Sequence, residues 1–284
     1  MLCIHHNDLD GLCSAAIVAL ANDRDQINFH QMDYRDTLPM TIFKEGEKVY
    51  VVDFSLPPKA MEELVKKSGD VVWIDHHATA ARYPYQDLPG LRNFDNKAFA
   101  ACELVWKYFY ADARLPDSIR YIGDYDKWAL RYQPKCFEYY EGAKTLSGID
   151  VPNSLVWRGL LENNERTKEI LEAGRSCIKY RNAYALLMRT SHGYKTSIDG
   201  EEAIALNVYG FGSMIFGEAF KMYPVCIAYV HDGEKFTVSL YSTTVDVSKI
   251  AKKFGGGGHK NAAGMTLSNE QFMKLIGKKN EGNL

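Results

Sequence analysis

The 284-residue chain has no basic excess: 34 lysines and arginines stand against 36 aspartates and glutamates, a formal net charge of −2. Proteins that grip long nucleic acid carry a marked positive surplus, because phosphate neutralisation dominates that affinity. Long duplex is therefore not an expected partner, while a small phosphorylated substrate stays open. There is no C-x-x-C pair either; the six cysteines, Cys3, Cys13, Cys102, Cys136, Cys177 and Cys226, are scattered. No signal segment precedes them, since Met1 leads straight into a strand-like run. Reduced thiols acting as small core residues in a cytoplasmic protein are the expectation. No apolar run approaches the length of a membrane span, so no membrane partner is expected. Internal repeats and low-complexity segments are also missing. What is present, at 46% hydrophobic residues, is ample for a buried core of one large domain or two modest ones.

The first half alternates two patterns. "MLCIHH", "KVYVVDFS" and "DVVWIDHH" are short apolar, β-branched runs, and helix-like segments "GLCSAAIVALAND" and "LPPKAMEELVKKSG" separate them. Pro57 and Pro58 suit a helix start and Gly69 its end. Near-continuously apolar strands spaced by helices predict a parallel sheet covered on both faces, an α/β architecture. Residues 153–192 contain no proline and read as one or two helices leading to a second unit. There, "VCIAYVHDGEKFTVSLYS" reads as two strands around an Asp-Gly turn, and "KIAKKF" precedes four glycines. The last residues, "GKKNEGNL", read as a frayed tail.

Each apolar strand of the first half ends on an acid. His6, Asp8 and Asp10 occupy alternate positions, which on an extended chain point to one side. Asp53 and Asp75 end the next two strands, with His76 and His77 directly after. In an open parallel sheet, ligands bind outside the carboxyl ends of the strands. "NDLDG" alone is commonly a turn and a helix cap, and one strand-end aspartate is often only a cap. The same placement at three successive strand-to-helix junctions, with imidazoles beside the acids, outweighs that reading. So many carboxylates in one pocket would be forced to protonate without cations. Divalent metal resolves the conflict, and mixed His/Asp donors suit Mn²⁺, with Mg²⁺ or Co²⁺ as alternatives.

"HNDLDG", "VVDFS", "WIDHH" and "YIGDYDKW", in this order, resemble the four motifs of the DHH phosphoesterase superfamily. "GGGGHKNAAG", residues 255–264, resembles the glycine-rich signature of the DHH-associated C-terminal domain of its RecJ-like and oligoribonuclease-like branch. Carried over by position, the resemblance implies two metal ions: His6, Asp8 and Asp53 on one, and Asp10, Asp53, His76 and Asp124 on the other, with Asp53 bridging. Asp124 is preferred to Asp126 as the ligand from the fourth motif, and His6 to His5. Asp53, Asp75 and His77 are the catalytic candidates. Gly256, Gly257, Gly258, His259 and Lys260 are the substrate-binding candidates. The glycines are expected to form a cradle of backbone N–H groups for an anion, ahead of a following helix. Many relatives carry an arginine in the strand before this loop, where this chain has Tyr241.

The resemblance thus implies a parallel-sheet DHH domain over residues 1–150, a helical connector over 151–193, and a smaller α/β substrate-binding domain over 194–284. The active site would lie in the interdomain cleft. The expected activity is that of a hydrolase: a metal-dependent phosphodiesterase that cleaves short oligonucleotides to nucleoside monophosphates through two-metal activation of water. The rivals, in order, are a cyclic-dinucleotide or dinucleotide phosphodiesterase, a single-strand exonuclease or polyphosphatase, and a non-catalytic nucleotide sensor. Oligomeric state is left open, a homodimer included.

Overall fold

The computed structural model describes residues 1–22, 26–34, 36–95, 98–111 and 113–276. They form two compact units, Met1–Ile178 and Lys179–Leu284. The predicted tail, residues 277–284, lies outside the described residues.

The first unit opens with β1 (Leu2–His6), α1 (Leu9–Ala21), β2 (Asn28–Met32), β3 (Val49–Val52), α2 (Pro58–Ser68) and β4 (Val71–Ile74). The strands make an all-parallel sheet in the order β2-β1-β3-β4. Both faces are apolar because successive side chains point to opposite sides and both sides are covered. Cys3, Tyr50, Val52, Val72 and Ile74 face a core completed by α1 and by α3 (Ala101–Tyr110). Leu2, Ile4, Val49, Val51, Val71 and Trp73 face the other way, against Met61 and Leu64 of α2. α2 starts at the prolines and stops where Gly69 turns left-handed (φ 73°), its N–H bonded to the Val65 carbonyl at 2.8 Å. The polar strand β2, "NFHQM", had no apolar run to announce it and was not foreseen.

Four further helices complete this unit: α4 (Asp117–Asp126), α5 (Lys135–Ala143), α6 (Leu155–Glu162) and the first part of α7 (Asn164–His192). Trp157, Leu160, Leu161, Ile170 and Leu171 are buried in its core, so much of the segment expected as a connector packs into the first unit. The division between the units falls within α7.

The second unit continues from α7 with β5 (Tyr194–Ile198), β6 (Glu201–Asn207), α8 (Ala219–Met222), β7 (Val225–His231), β8 (Lys235–Tyr241), α9 (Val247–Lys253), β9 (Gly257–His259), β10 (Ala262–Ser268) and α10 (Asn269–Ile276). Its sheet runs β5-β6-β7-β8-β10-β9, antiparallel except between β6 and β7. The β7–β8 turn has the predicted chemistry. The Asp232 carboxylate accepts the N–H groups of Glu234 and Lys235 at 2.9 and 2.8 Å, and Gly233 takes φ 107°. Val238, Leu240, Ala263, Met265 and Leu267 point into a core with Val247, Ile250 and Phe272 of the helices. No helix of the described residues is long and apolar enough to cross a membrane.

Candidate metal centre

The acids and imidazoles collect at the carboxyl edge of the parallel sheet, though not by the alternation expected of an extended chain. β1 ends at His6; Asp8 is the N-cap of α1 and Asp10 lies in its first turn. The sharp turn between strand and helix brings all three together. A Cβ at Gly11 would sit 2.4 Å from the His6 carbonyl oxygen, so only glycine lets α1 start this close to the strand. Asp8 accepts the Gly11 N–H at 2.9 Å through one oxygen and pairs with His6 Nδ1 at 2.8 Å through the other. Burial alone would raise the Asp8 carboxyl, but the His6 ring and the Gly11 N–H outweigh it and bring it down to about 2. His5 turns aside: it is buried edge-on against Phe29, its Nδ1 2.8 Å from the His6 carbonyl, and burial lowers it to about 4.

Asp10 reaches across to another element. Its two oxygens accept the N–H groups of Ala101 and Cys102, the first of α3, at 2.8 and 2.9 Å. These are N–H groups with no partner inside their own helix, and the positive end of the helix favours the carboxylate there.

Asp53 is the centre of the group. It follows β3 with φ 52°, a left-handed conformation that strains any residue bearing a Cβ. Its N–H is fixed on the Ile74 carbonyl at 3.0 Å. The residue is 1% exposed, and neither carboxyl oxygen has a hydrogen-bond partner. Burial, then the charges of Asp10, Asp8, Asp126 and Asp75, push its carboxyl well above the ordinary range. Around it stand His6 Nδ1 at 3.8 Å, His76 Nε2 at 3.4 Å and His77 Nδ1 at 3.9 Å.

Asp75 is spent differently. One oxygen takes the His76 N–H at 2.8 Å, the His77 N–H at 3.3 Å and His77 Nδ1 at 2.7 Å; the other takes the Ser55 hydroxyl. Burial would raise Asp75, but the His77 and Ser55 bonds win and lower it. In return, His77 is raised, because Asp75 outweighs the burial that would lower it. His76 is lowered, burial prevailing over the neighbouring acids, and its Nε2 lies toward the carboxylates.

The fourth motif departs from expectation. Both Asp124 oxygens are taken by backbone, accepting the N–H groups of Arg131 and Tyr132 at 2.9 Å each. Asp126 faces the group instead, its Oδ2 3.3 Å from His76 Nε2. Residues two apart on a helix are about 200° apart around its axis, so only one of the pair can face the other acids. Asp124 is the clamp of the turn after α4, where Trp128 and Leu130 both take positive φ. Sequence reasoning also missed Tyr34, in the loop after β2. Half exposed, it stacks on Phe54 at 4.8 Å, with ring centres 5.4 Å from His6 and 5.7 Å from His77.

Three overlapping triads result: His6/Asp8/Asp53, Asp53/His76/His77 and Asp10/His76/Asp126. In each, one donor atom per residue lies within 4.8 Å of the others. Buried carboxyl oxygens without partners, beside imidazole nitrogens, are the donor set a divalent cation requires. The residues fit such ions.

The substrate-binding candidates lie in the second unit, in a β-hairpin rather than in a loop ahead of a helix. Gly257 and His259 bound the short strand β9, paired to β10 as Gly257↔Gly264 and His259↔Ala262. The N–H groups of Gly255 and Gly256 terminate α9 on Lys252 and Ala251 carbonyls at 3.1 and 2.9 Å. A strand, not a helix, follows. The glycines serve close backbone approach: a Cβ on Gly256 would meet the Gly264 carbonyl oxygen at 2.2 Å, and one on Gly258 the Ala263 Cα at 2.6 Å. His259 and Lys260 are exposed at the hairpin end.

The uncharacterized protein R106 of Acanthamoeba polyphaga mimivirus is 25% identical over 260 residues, 84% of this chain and 58% of that protein. The chain thus spans less than two thirds of that relative's length. The oligoribonuclease NrnB of Bacillus subtilis is 22% identical over 295 residues, covering 95% of this chain and 74% of that one. The fold is shared with the pGpG-specific phosphodiesterase PggH of Vibrio cholerae (TM-score 0.57, 13% identity, 96% of this chain and 95% of that one). It is shared as well with Mn²⁺-bound RecJ of Thermus thermophilus (TM-score 0.52, 15% identity, 96% of this chain and 50% of that one). Residues 1–125 match the family model for the DHH family N-terminal domain and residues 217–281 that for the DHHA1 domain, and with both in this order the chain belongs to the DHH family.

Proposed function

We propose that this protein is a metal-dependent phosphodiesterase that hydrolyses short oligonucleotides to nucleoside monophosphates. The observation that carries the reading is Asp53: a carboxylate almost fully buried, strained in its backbone, with both oxygens unpartnered among acids and imidazoles. Such a group is unfavourable in a resting fold and useful only when cations complete it. Two divalent ions, with Mn²⁺ the best match to the donors, would be held by His6, Asp8, Asp10, Asp53, His76 and Asp126. When bound, they supply Lewis acidity toward a phosphoryl oxygen and acidify water. The chain's own residues do the rest. Asp53, a member of two of the three triads, would serve both ions. Asp75 fixes the ring of His77, and His77, which holds its proton to higher pH, is placed to donate to an anionic phosphoryl oxygen. His259 and Lys260 supply cationic or donor contacts to the nucleotide phosphate.

The oligoribonuclease named above, similar along most of its length, supports short oligonucleotides as the substrate class. A second reading, a linear-dinucleotide phosphodiesterase, is favoured by the likeness to a pGpG-specific enzyme over nearly all of both chains. The near-neutral charge supports both over a processive nuclease. The test is catalytic efficiency against substrate length at two ionic strengths with Mn²⁺. We expect a peak at two to about five nucleotides and a weak salt dependence of KM. Efficiency that keeps climbing on long strands, with a steep salt slope, would overturn the reading.

A further inference from the structure

We propose that Glu103 and Lys127 are positioning residues for the metal centre: their buried ion pair sets the spacing between Asp10 and Asp126, and with it the geometry of the Asp10/His76/Asp126 group. The inference deepens the reading above and rests on it for the presence of metal.

Three successive N–H groups at the start of α3 are taken by two carboxylates. Asp10 accepts those of Ala101 and Cys102. Glu103, in the first turn of the same helix, reaches back to that of Ala100 at 2.8 Å. The Asp10 carboxylate is bonded through both oxygens to this helix end, so its position follows where α3 begins.

Asp126 is placed by another helix. It is the last residue of α4, and Lys127 caps that helix with its N–H on the Gly123 carbonyl at 3.2 Å. The Lys127 ammonium runs back to the start of α3. There it donates to the same Glu103 oxygen that holds the Ala100 N–H, with the Ala98 carbonyl 3.5 Å away. One carboxyl oxygen thus joins the two helix ends. Gly123 lets them meet: a Cβ there would lie 2.9 Å from Glu103 Cδ and 3.1 Å from Ala100 Cβ. His76 Nε2 is within reach of the acid each helix end controls, 3.7 Å from Asp10 Oδ2 and 3.3 Å from Asp126 Oδ2.

Stability alone does not account for such a pair. The Lys127 and Glu103 side chains are 6% and 12% exposed, so both charges have given up most of their water. Apolar groups of similar size would hold the helices about as well. What a directional, charge-assisted bond adds is a fixed register between the two helices. Two acids that share one cation need that register, because partners that orient the ligands are felt in metal affinity.

The test is Mn²⁺ binding to the full chain, followed by calorimetry and by the electron paramagnetic resonance spectrum of the loaded protein. The parent should take two ions and show the spectrum of a coupled pair. The double variant Glu103→Gln/Lys127→Met removes both charges and keeps the size of both side chains, so its Tm should stay near the parent's. One of its two Mn²⁺ affinities should fall about tenfold while the other holds. At Mn²⁺ levels that fill only the stronger position, its spectrum should become that of an isolated ion. The second variant is Glu103→Gln alone, which keeps an acceptor for both Lys127 and the Ala100 N–H, and its loss should be smaller in the same affinity. A double variant with both affinities at the parent's values, or with both lost together, would overturn the inference, leaving the pair a role in the fold alone. Dinucleotide hydrolysis by the parent is measured alongside. Two ions, one of them weakened in the double variant, without hydrolysis would sink the phosphodiesterase reading and leave the positioning role standing. A parent that binds fewer than two Mn²⁺ ions would sink both.

Discussion

At the edge of the parallel sheet, Asp8, Asp10, Asp53 and Asp126 crowd three histidines in a space where neither carboxyl oxygen of Asp53 has a hydrogen-bond partner. On the second sheet, the row from Tyr241 through Ala262 to His259 carries two rings with no carboxylate between them, and the backbone comes close where side chains are missing. The first region is poised by unfavourable electrostatics, the second by the absence of bulk. The difference teaches what each can lose. Removing charge from the first should remove function and spare the fold; adding atoms to the second should disturb the fold and spare the metal centre.

The sharpest break of that contrast is at Asp53. Asp53→Asn keeps size and tolerates the left-handed backbone, so thermal unfolding should be preserved while kcat falls by about 10³-fold or more, the scale of losing a group that acts on the reacting centre. Near-parent turnover in saturating Mn²⁺ would remove Asp53 from the centre.

Asp124 and Asp126 sharpen it within one helix. Asp126→Asn should reduce Mn²⁺ affinity and activity by about 10- to 100-fold with little change in Tm. Asp124→Ala frees the N–H groups of Arg131 and Tyr132, and should cost about 1–3 kcal/mol of stability, seen as a lower denaturation midpoint. Metal titration beside urea unfolding distinguishes the two; the reverse pattern would restore Asp124 as a ligand.

In the second unit, Gly256→Ala places a Cβ 2.2 Å from the Gly264 carbonyl oxygen. Forcing the hairpin apart should destabilise it by about 1–3 kcal/mol, while Mn²⁺ binding to the intact chain is retained. Loss of metal binding with an unchanged melting profile would contradict the division of labour.

The smallest effect is a pH slope. Asp53 keeps its proton to higher pH in the folded protein than in the unfolded chain. Its contribution to stability is therefore present below the ordinary carboxylate pKa and lost as pH rises through the elevated folded value. Metal-free Asp53→Asn should be more stable than the parent near neutrality, by about 1 kcal/mol, with the gap closing toward pH 4. A pH-independent gap in unfolding free energy would show that Asp53 does not bind the extra proton.

Much of this was legible in the residues, for physical reasons. β1, β3 and β4 are apolar on both faces because both faces are covered, and acids immediately after such runs can only lie at the sheet edge. Asp53 and His76 were readable for that reason. β2 was not, since an edge strand with polar residues has no periodic signature strong enough to see. Asp124 and Asp126 could not be separated from spacing alone; the decision rests on which one the following turn uses. The hairpin at residues 257–264 was hidden because β9 is three residues long and takes its register from β10, so its glycines read as a loop. Tyr34 sits in irregular chain, and only tertiary structure brings it to His6.

The bond from Asp10 to the start of α3 also bears on motion. Helix N-terminal amides ordinarily exchange with solvent early, because nothing in their own helix holds them. Here the amides of Ala101 and Cys102 are held by a side chain about ninety residues earlier in sequence. Their hydrogen exchange is thereby tied to the docking of α1 rather than to local fraying, so that opening the acidic edge and loosening a distant helix become one event.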